Sequence, residues 1–153
     1  MTALSFSAAV RTDVGPVRRN NEDTAYASPR LAAVADGVGG AAAGEVASRA
    51  AIDALVHLDK CRVDEPLDRA LAFAVAAGNA AIGFIAGCRP RMAGMSTTLT
   101  AVALDDDGYL VANVGDSRTY LLRDGALKRL TRDDSLVQRP VDDWFAEAYH
   151  DDR

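Results

Sequence analysis

The sequence predicts an α+β fold, and three observations carry that expectation. Short β-tolerant runs fill residues 5–36, two stretches of helical periodicity follow from about 44 to 86, and a second block of short runs, about 97–131, is punctuated by Asp-Gly turns. Strands, then helices, then more antiparallel strands imply helices layered on sheet.

A first strand is expected near 5–12, and two more at 23–28 and 31–36, split by the turn signal Pro29-Arg30. If those two pair with Ser28 opposite Leu31, Asp23 falls opposite Asp36, with side chains roughly 5 Å apart at one end of the ribbon. A helix is expected over about 44–59, where Val46, Ala47, Ala50, Ala51, Ala54, Leu55 and Leu58 recur at spacings of one and three. A second helix starts at Pro66, a good first-turn residue, and runs to about Ala86. Leu71 to Cys88 holds no charged side chain and is long enough to raise a membrane question. Its Ala and Gly content, with Asn79 in the middle, favours a helix buried in a soluble fold. Strands near 97–104 and 109–115 are joined by Asp106-Asp107-Gly108, and strands near 118–123 and 126–131 by Asp124-Gly125; both joints are hairpin signals.

At 153 residues and 49% hydrophobic, the chain can bury one core and is most simply one domain. The net charge of −5 argues against a basic nucleic-acid-binding face. Cys61 and Cys88 lack metal-ligand spacing and read as ordinary buried or half-buried thiols. The N-terminus lacks a basic segment ahead of an apolar run, so no signal peptide, no membrane contact and a cytoplasmic location are expected.

The acidic end of the first hairpin is where chemistry is expected. Two facing carboxylates repel, and a hard divalent cation such as magnesium or manganese removes that repulsion. Arg18 precedes Glu22 by four residues, close enough for its guanidinium to hold a phosphate bidentately. Gly37 allows close approach of a backbone carbonyl to an ion. The bland alternative is a pair of solvated carboxylates capping turns.

The order Arg18, Glu22-Asp23, Asp36-Gly37-Val38-Gly39-Gly40, Gly44-Glu45, Gly94-Met95-Ser96-Thr97-Thr98-Leu99-Thr100 and Asn113-Val114-Gly115-Asp116-Ser117-Arg118 resembles the type 2C protein phosphatases in their bacterial form. The match runs from about Ser5 to Gln138, with Ser96 standing where the family usually has Gly. The resemblance implies a phosphatase-2C-like β-sandwich with flanking helices in α-β-β-α layers, and a phosphoserine or phosphothreonine protein as substrate. It implies a two-metal site for Mg2+ or Mn2+, ions that polarise a phosphomonoester and generate hydroxide from bound water. Asp36 would bridge the ions, the Gly37 carbonyl would bind one, and Glu22 and Asp23 would hold metal or its water. Arg18 would grip the phosphate, so that Arg18 and Asp23 are the catalytic candidates. Asp116 matches a third, weaker metal position. Its alternative is a turn carboxylate accepting hydrogen bonds from Ser117 and Arg118.

Residues 1–138 therefore read as the N-terminal part of a type 2C phosphatase domain, and 139–153 as a divergent acidic, aromatic-bearing tail. The family's later DG-x-x-D-like and DN-like metal motifs are absent from the 153 residues, and Asp142, Asp143, Asp151 and Asp152 match neither. A partial sandwich with late strands missing, an incomplete metal site and impaired activity are expected. Open sheet edges would then favour self-association or a partner chain. Within the tail, Val141, Trp144, Phe145, Ala148 and Tyr149 have the spacing of a short helix with one apolar stripe.

Two other functional readings compete. One is a non-catalytic phosphatase-like module that binds phosphoprotein or a regulatory partner through the Arg18 region. The other is a dinucleotide-binding domain, because Gly37-Val38-Gly39-Gly40-Ala41-Ala42 follows a strand, precedes a helix and is trailed by Asp59. Against that, Asp36 would face the pyrophosphate, and Lys60 to Pro66 makes a poor parallel strand.

Overall fold

The computed structural model describes residues 4–39, 43–61, 65–105 and 108–134. β1 (Asp23–Ala27) and β2 (Leu31–Val38) form the expected hairpin. Ser28 closes its turn twice over: its N–H donates to Leu31 O at 2.8 Å, and its Oγ accepts from Leu31 N at 2.9 Å. That turn sets the antiparallel register, and Asp23 pairs with Asp36.

The strand expected at 5–12 is not formed. Those residues are largely exposed, and Phe6 N donates to Pro29 O at 2.7 Å. A strand exists only through a ladder with a neighbour. Among the described residues none forms a ladder with this segment, although residues 8–11 lie against the β1–β2 hairpin.

The central sheet has the order β1-β2-β4-β5, where β4 is Leu99–Leu104 and β5 is Tyr109–Val114. The strand expected at 97–104 begins as β3 (Ser96–Thr97), which pairs with the end of β2, and is interrupted at Thr98 before β4 continues along β2. β6 (Tyr120–Arg123) and β7 (Ala126–Arg129) make a separate two-stranded sheet. Their turn, Asp124-Gly125, has φ of 52° and 77°, the doubly positive geometry that a two-residue hairpin requires. β2 is antiparallel to both neighbours. That pairing excludes the parallel βαβ unit of the dinucleotide reading.

Period-2 alternation decides which face is core. Leu31, Ala33 and Ala35 of β2, Leu99, Ala101 and Ala103 of β4, and Leu110 and Ala112 of β5 are buried together. Helix α1 (Ala43–Lys60) covers them with Ala47, Ser48, Ala51, Ile52 and Leu55. The buried stripe is displaced by part of a turn from the one the spacing predicts: Ala47, Ala51 and Leu55 are buried, whereas Val46, Ala50, Ala54 and Leu58 lie half-buried on its flank.

Helix α2 (Leu67–Cys88) departs more from expectation. Only Ala70, Leu71, Ala74 and Gly78 of it are buried, and Phe73 and Phe84 are 77% and 73% exposed. It is not a buried helix but one that rests on a narrow seam. The seam is tight because Gly78 lies against Ala51 of α1. By length and composition alone α2 could cross a membrane, although 17% of that apolar window is buried inside the fold. Cys61 and Cys88, at the ends of the two helices, are exposed and not buried. The tail expected to carry a helix at 141–149, with its four aspartates, lies outside the described residues, as do Asp106 and Asp107.

Candidate functional site

The site is built where three elements meet at one end of the central sheet. Asn20 and Asn21 shape the approach to β1: Asn20 Nδ2 donates to Glu22 Oε1 at 3.1 Å, and Asn21 Oδ1 accepts from Asp23 N at 3.0 Å. Asp23 then opens β1 directly across from Asp36. The Glu22 carbonyl accepts from Gly37 N at 3.2 Å and from Ser48 Oγ at 2.6 Å. Ser48 is fully buried in α1, and Thr24 Oγ1 lies 2.9 Å from its Oγ. With Ser48's one hydroxyl proton given to Glu22 O, Thr24 is the donor in that second contact.

Glycine is required where α1 comes down on the hairpin. A Cβ on Gly37 would run into the Gly44 carbonyl, and one on Gly44 would stand 2.5 Å from Glu22 Oε2. The close approach that Gly37 permits is therefore to the first turn of α1. Gly44 in turn makes room for the Glu22 carboxylate.

Asp36 is held by its backbone. Thr98 N and Thr97 Oγ1 both donate to Asp36 O, at 2.9 and 3.0 Å, and Asp36 N donates to Thr98 Oγ1 at 3.1 Å. Thr98 Oγ1 also lies 2.7 Å from Ser117 Oγ. The interruption at Thr98 thus ties β2 to the loop that carries Asp116. In that loop Gly115 has φ of +90°, and a Cβ there would meet the Thr98 methyl at 2.9 Å.

The electrostatics identify which carboxylates face one another. Burial pushes the Asp36 carboxyl above its ordinary 3.8, the charge and hydrogen bond of Asp23 push the same way, and the Asp116 charge adds to them; the Arg18 guanidinium opposes. Asp23, Asp36, Asp116 and Arg18 are therefore one electrostatic unit. Glu22 stands beside it on the α1 side. Asp116 is exposed, and neither neighbouring side chain is turned to its carboxylate, since the Ser117 hydroxyl bonds Thr98 and the Arg118 guanidinium bonds Asp133.

A facing carboxylate pair is a donor set that suits a hard divalent cation. Among the described residues, however, no three His, Cys, Asp or Glu side chains converge closely enough to hold a metal ion by themselves. The pair fits part of a metal site. Ser48, Thr97, Thr98 and Asp133 support it: Thr97 and Thr98 lie in a quoted motif that assigns them no role, while Ser48 and Asp133 are not singled out by the sequence, a serine inside the apolar stripe of α1 being the signal for the first.

The protein phosphatase 2C family model matches residues 20–139. The chain belongs to the protein phosphatase 2C family. The serine/threonine protein phosphatase PstP of Mycobacterium tuberculosis is 50% identical to it over 135 residues, 88% of this chain and 26% of PstP. The structure of the PstP catalytic domain in complex with two manganese ions superposes with a TM-score of 0.78 at 51% identity, covering 84% of this chain and 56% of that one. A phosphatase from Mycobacterium smegmatis, solved with cacodylate, gives 0.73 at 40% identity over 86% of this chain and 55% of that one. This phosphatase 2C chain thus spans about a quarter of the length of PstP and a little over half of the solved domains. The expected family and the α+β fold are borne out.

Proposed function

We propose that this chain is a metal-dependent protein serine/threonine phosphatase, with a site built on Arg18, Glu22, Asp23, Asp36, Gly37 and Asp116. The observation that carries the reading is the pairing of Asp23 with Asp36, with Arg18 acting on Asp36 from the side. Asp36 and Asp23 would hold a divalent ion, Mg2+ or Mn2+, between them, Glu22 would hold its water, and Asp116 would serve a further ion. The ion, when bound, supplies Lewis acidity at the phosphoryl oxygen and a more acidic water. Arg18 orients the phosphate of a phosphoserine or phosphothreonine protein through its planar fork, which also screens the phosphate from the carboxylates. The nearness of manganese-bound PstP supports the choice of ion.

The test is hydrolysis of p-nitrophenyl phosphate by the 153-residue chain with and without Mn2+. We expect metal-dependent turnover that Asp36→Asn abolishes. Arg18→Ala should raise KM about tenfold or more, from the loss of charge-assisted hydrogen bonds worth about 1.5–3 kcal/mol. Because no three ligating side chains converge among the described residues, a second reading stands beside the first: a phosphatase-like module that binds phosphoprotein without hydrolysing it. Phosphopeptide binding lost in Arg18→Ala, with no turnover, would select the second; no binding of metal or phosphate would overturn both.

A further inference from the structure

The loop carrying Asp116 is braced from behind by a carboxylate outside the candidate site. Asp133 receives Arg118 through two parallel bonds, Nε to Oδ1 at 3.1 Å and a terminal nitrogen to Oδ2 at 2.7 Å, and Arg129 bonds Oδ1 as well. Its side chain is 13% exposed, whereas those of Arg118 and Arg129 are 46% and 35% exposed. The same two segments are joined through main chain: Asp134 N donates to Gly115 O at 2.7 Å, and Asn113 Nδ2 donates to both Gly115 O and Arg132 O. Asn113 Oδ1 is left buried with no hydrogen-bond partner among the described residues, so the amide is committed as a donor to this junction. Residues 113–118 are therefore gripped on both sides of Asp116: before it at Gly115 O, by Asp134 N and Asn113 Nδ2, and after it at Ser117 by Thr98 and at Arg118 by Asp133.

We propose that Asp133 is a positioning residue: through Arg118 it fixes the loop so that Asp116 is presented toward Asp36 and Asp23. This rests on the reading of Asp116 as a group that faces a bound cation. A bidentate guanidinium–carboxylate pair fixes both distance and plane, which a single bond at the loop would not. Outer partners of this kind raise metal affinity by removing the disorder of the ligand they hold.

Asp133→Asn and Arg118→Lys are measured in two ways on the 153-residue chain. In the metal-free protein, backbone amide exchange at residues 113–118 should quicken in both variants, while exchange in α1 stays as it was. In Mn2+ titrations, Asp133→Asn should weaken binding about tenfold. Arg118→Lys, which keeps the charge but not the fork, should fall between wild type and Asp133→Asn. The loss should vanish in an Asp116→Asn background, because the brace acts through that one side chain. Unchanged exchange at 113–118, or an equal loss of affinity with and without Asp116, overturns the proposal. Absence of Mn2+ binding in the wild type refutes the functional reading instead, and the exchange result then decides the brace by itself.

Discussion

Asp133 also sets a pH dependence. The hydrogen bonds from Arg118, and then the charges of Arg118 and Arg129, hold its carboxyl below the ordinary 3.8. A carboxyl lowered in the folded state contributes stability that is full above the unfolded pKa and is lost as pH falls through the folded value. Wild type should therefore lose stability more steeply than Asp133→Asn below about pH 4, as read from denaturation midpoints across that range. Parallel curves would show that the pair forms in water without consequence. Ser48 poses the opposite problem, a buried hydroxyl with no charge. Ser48→Ala removes one of two donors to the Glu22 carbonyl, which keeps Gly37 N, and takes the acceptor from Thr24 Oγ1, so the denaturation midpoint should fall by the worth of those bonds, about 0.5–1.5 kcal/mol each. At this scale the facing of Asp23 and Asp36 is legible in sequence, because a two-residue turn and a period of two leave one register that buries Leu31, Ala33 and Ala35. The partners of Ser48, Thr98 and Arg118 are not. Each bonds a group 15 to 26 residues away, and nothing local marks such a pairing.

Among the elements, the contact of α1 with the β1–β2 hairpin is the one that makes the site. It depends on two glycines whose absent side chains let the helix start directly against the strand ends. Gly37→Ala should displace the first turn of α1 and destabilise the chain by about 1–3 kcal/mol, the usual cost of overpacking. Leu55→Ala, at a fully buried position further along α1, should cost about 2–5 kcal/mol by leaving a cavity. The two differ in their effect on the metal site: Gly37→Ala should weaken Mn2+ binding at temperatures where the chain is still folded, and Leu55→Ala should not. Helix existence is legible from the spacing of apolar residues, but burial is not. An alanine-rich helix satisfies the spacing rule on several faces at once, so α2 gives no sign of which narrow stripe meets α1. The separation of β3 from β4 is hidden for a related reason, since Thr98 has high β propensity yet spends its hydroxyl on Asp36 and Ser117.

Across the whole molecule, the two faces of the central sheet are treated unequally. One is covered by α1, which α2 backs. On the other, Val34 and Val38 are 44% and 59% exposed, and the groove beside Val34 is lined by Ala8, Val10, Ala25 and Ala32 from the N-terminal segment and the first hairpin. Branched side chains in an open row are a surface that association buries, at about 25 cal/mol for each Å2 of apolar area removed from water. Phe73 and Phe84 on α2 are more exposed and, three turns apart, share one helix face, but only alanines lie between them there, and these bury far less area per residue than branched side chains. The sheet face, not the helix, should therefore drive self-association of the 153-residue chain. Sedimentation velocity over a concentration series should show reversible association that Val34→Lys with Val38→Lys suppresses, while Phe73→Gln with Phe84→Gln leaves it in place. The reverse pattern would assign association to α2, and a monomer at every concentration would show that the N-terminal segment shields the face well enough by itself.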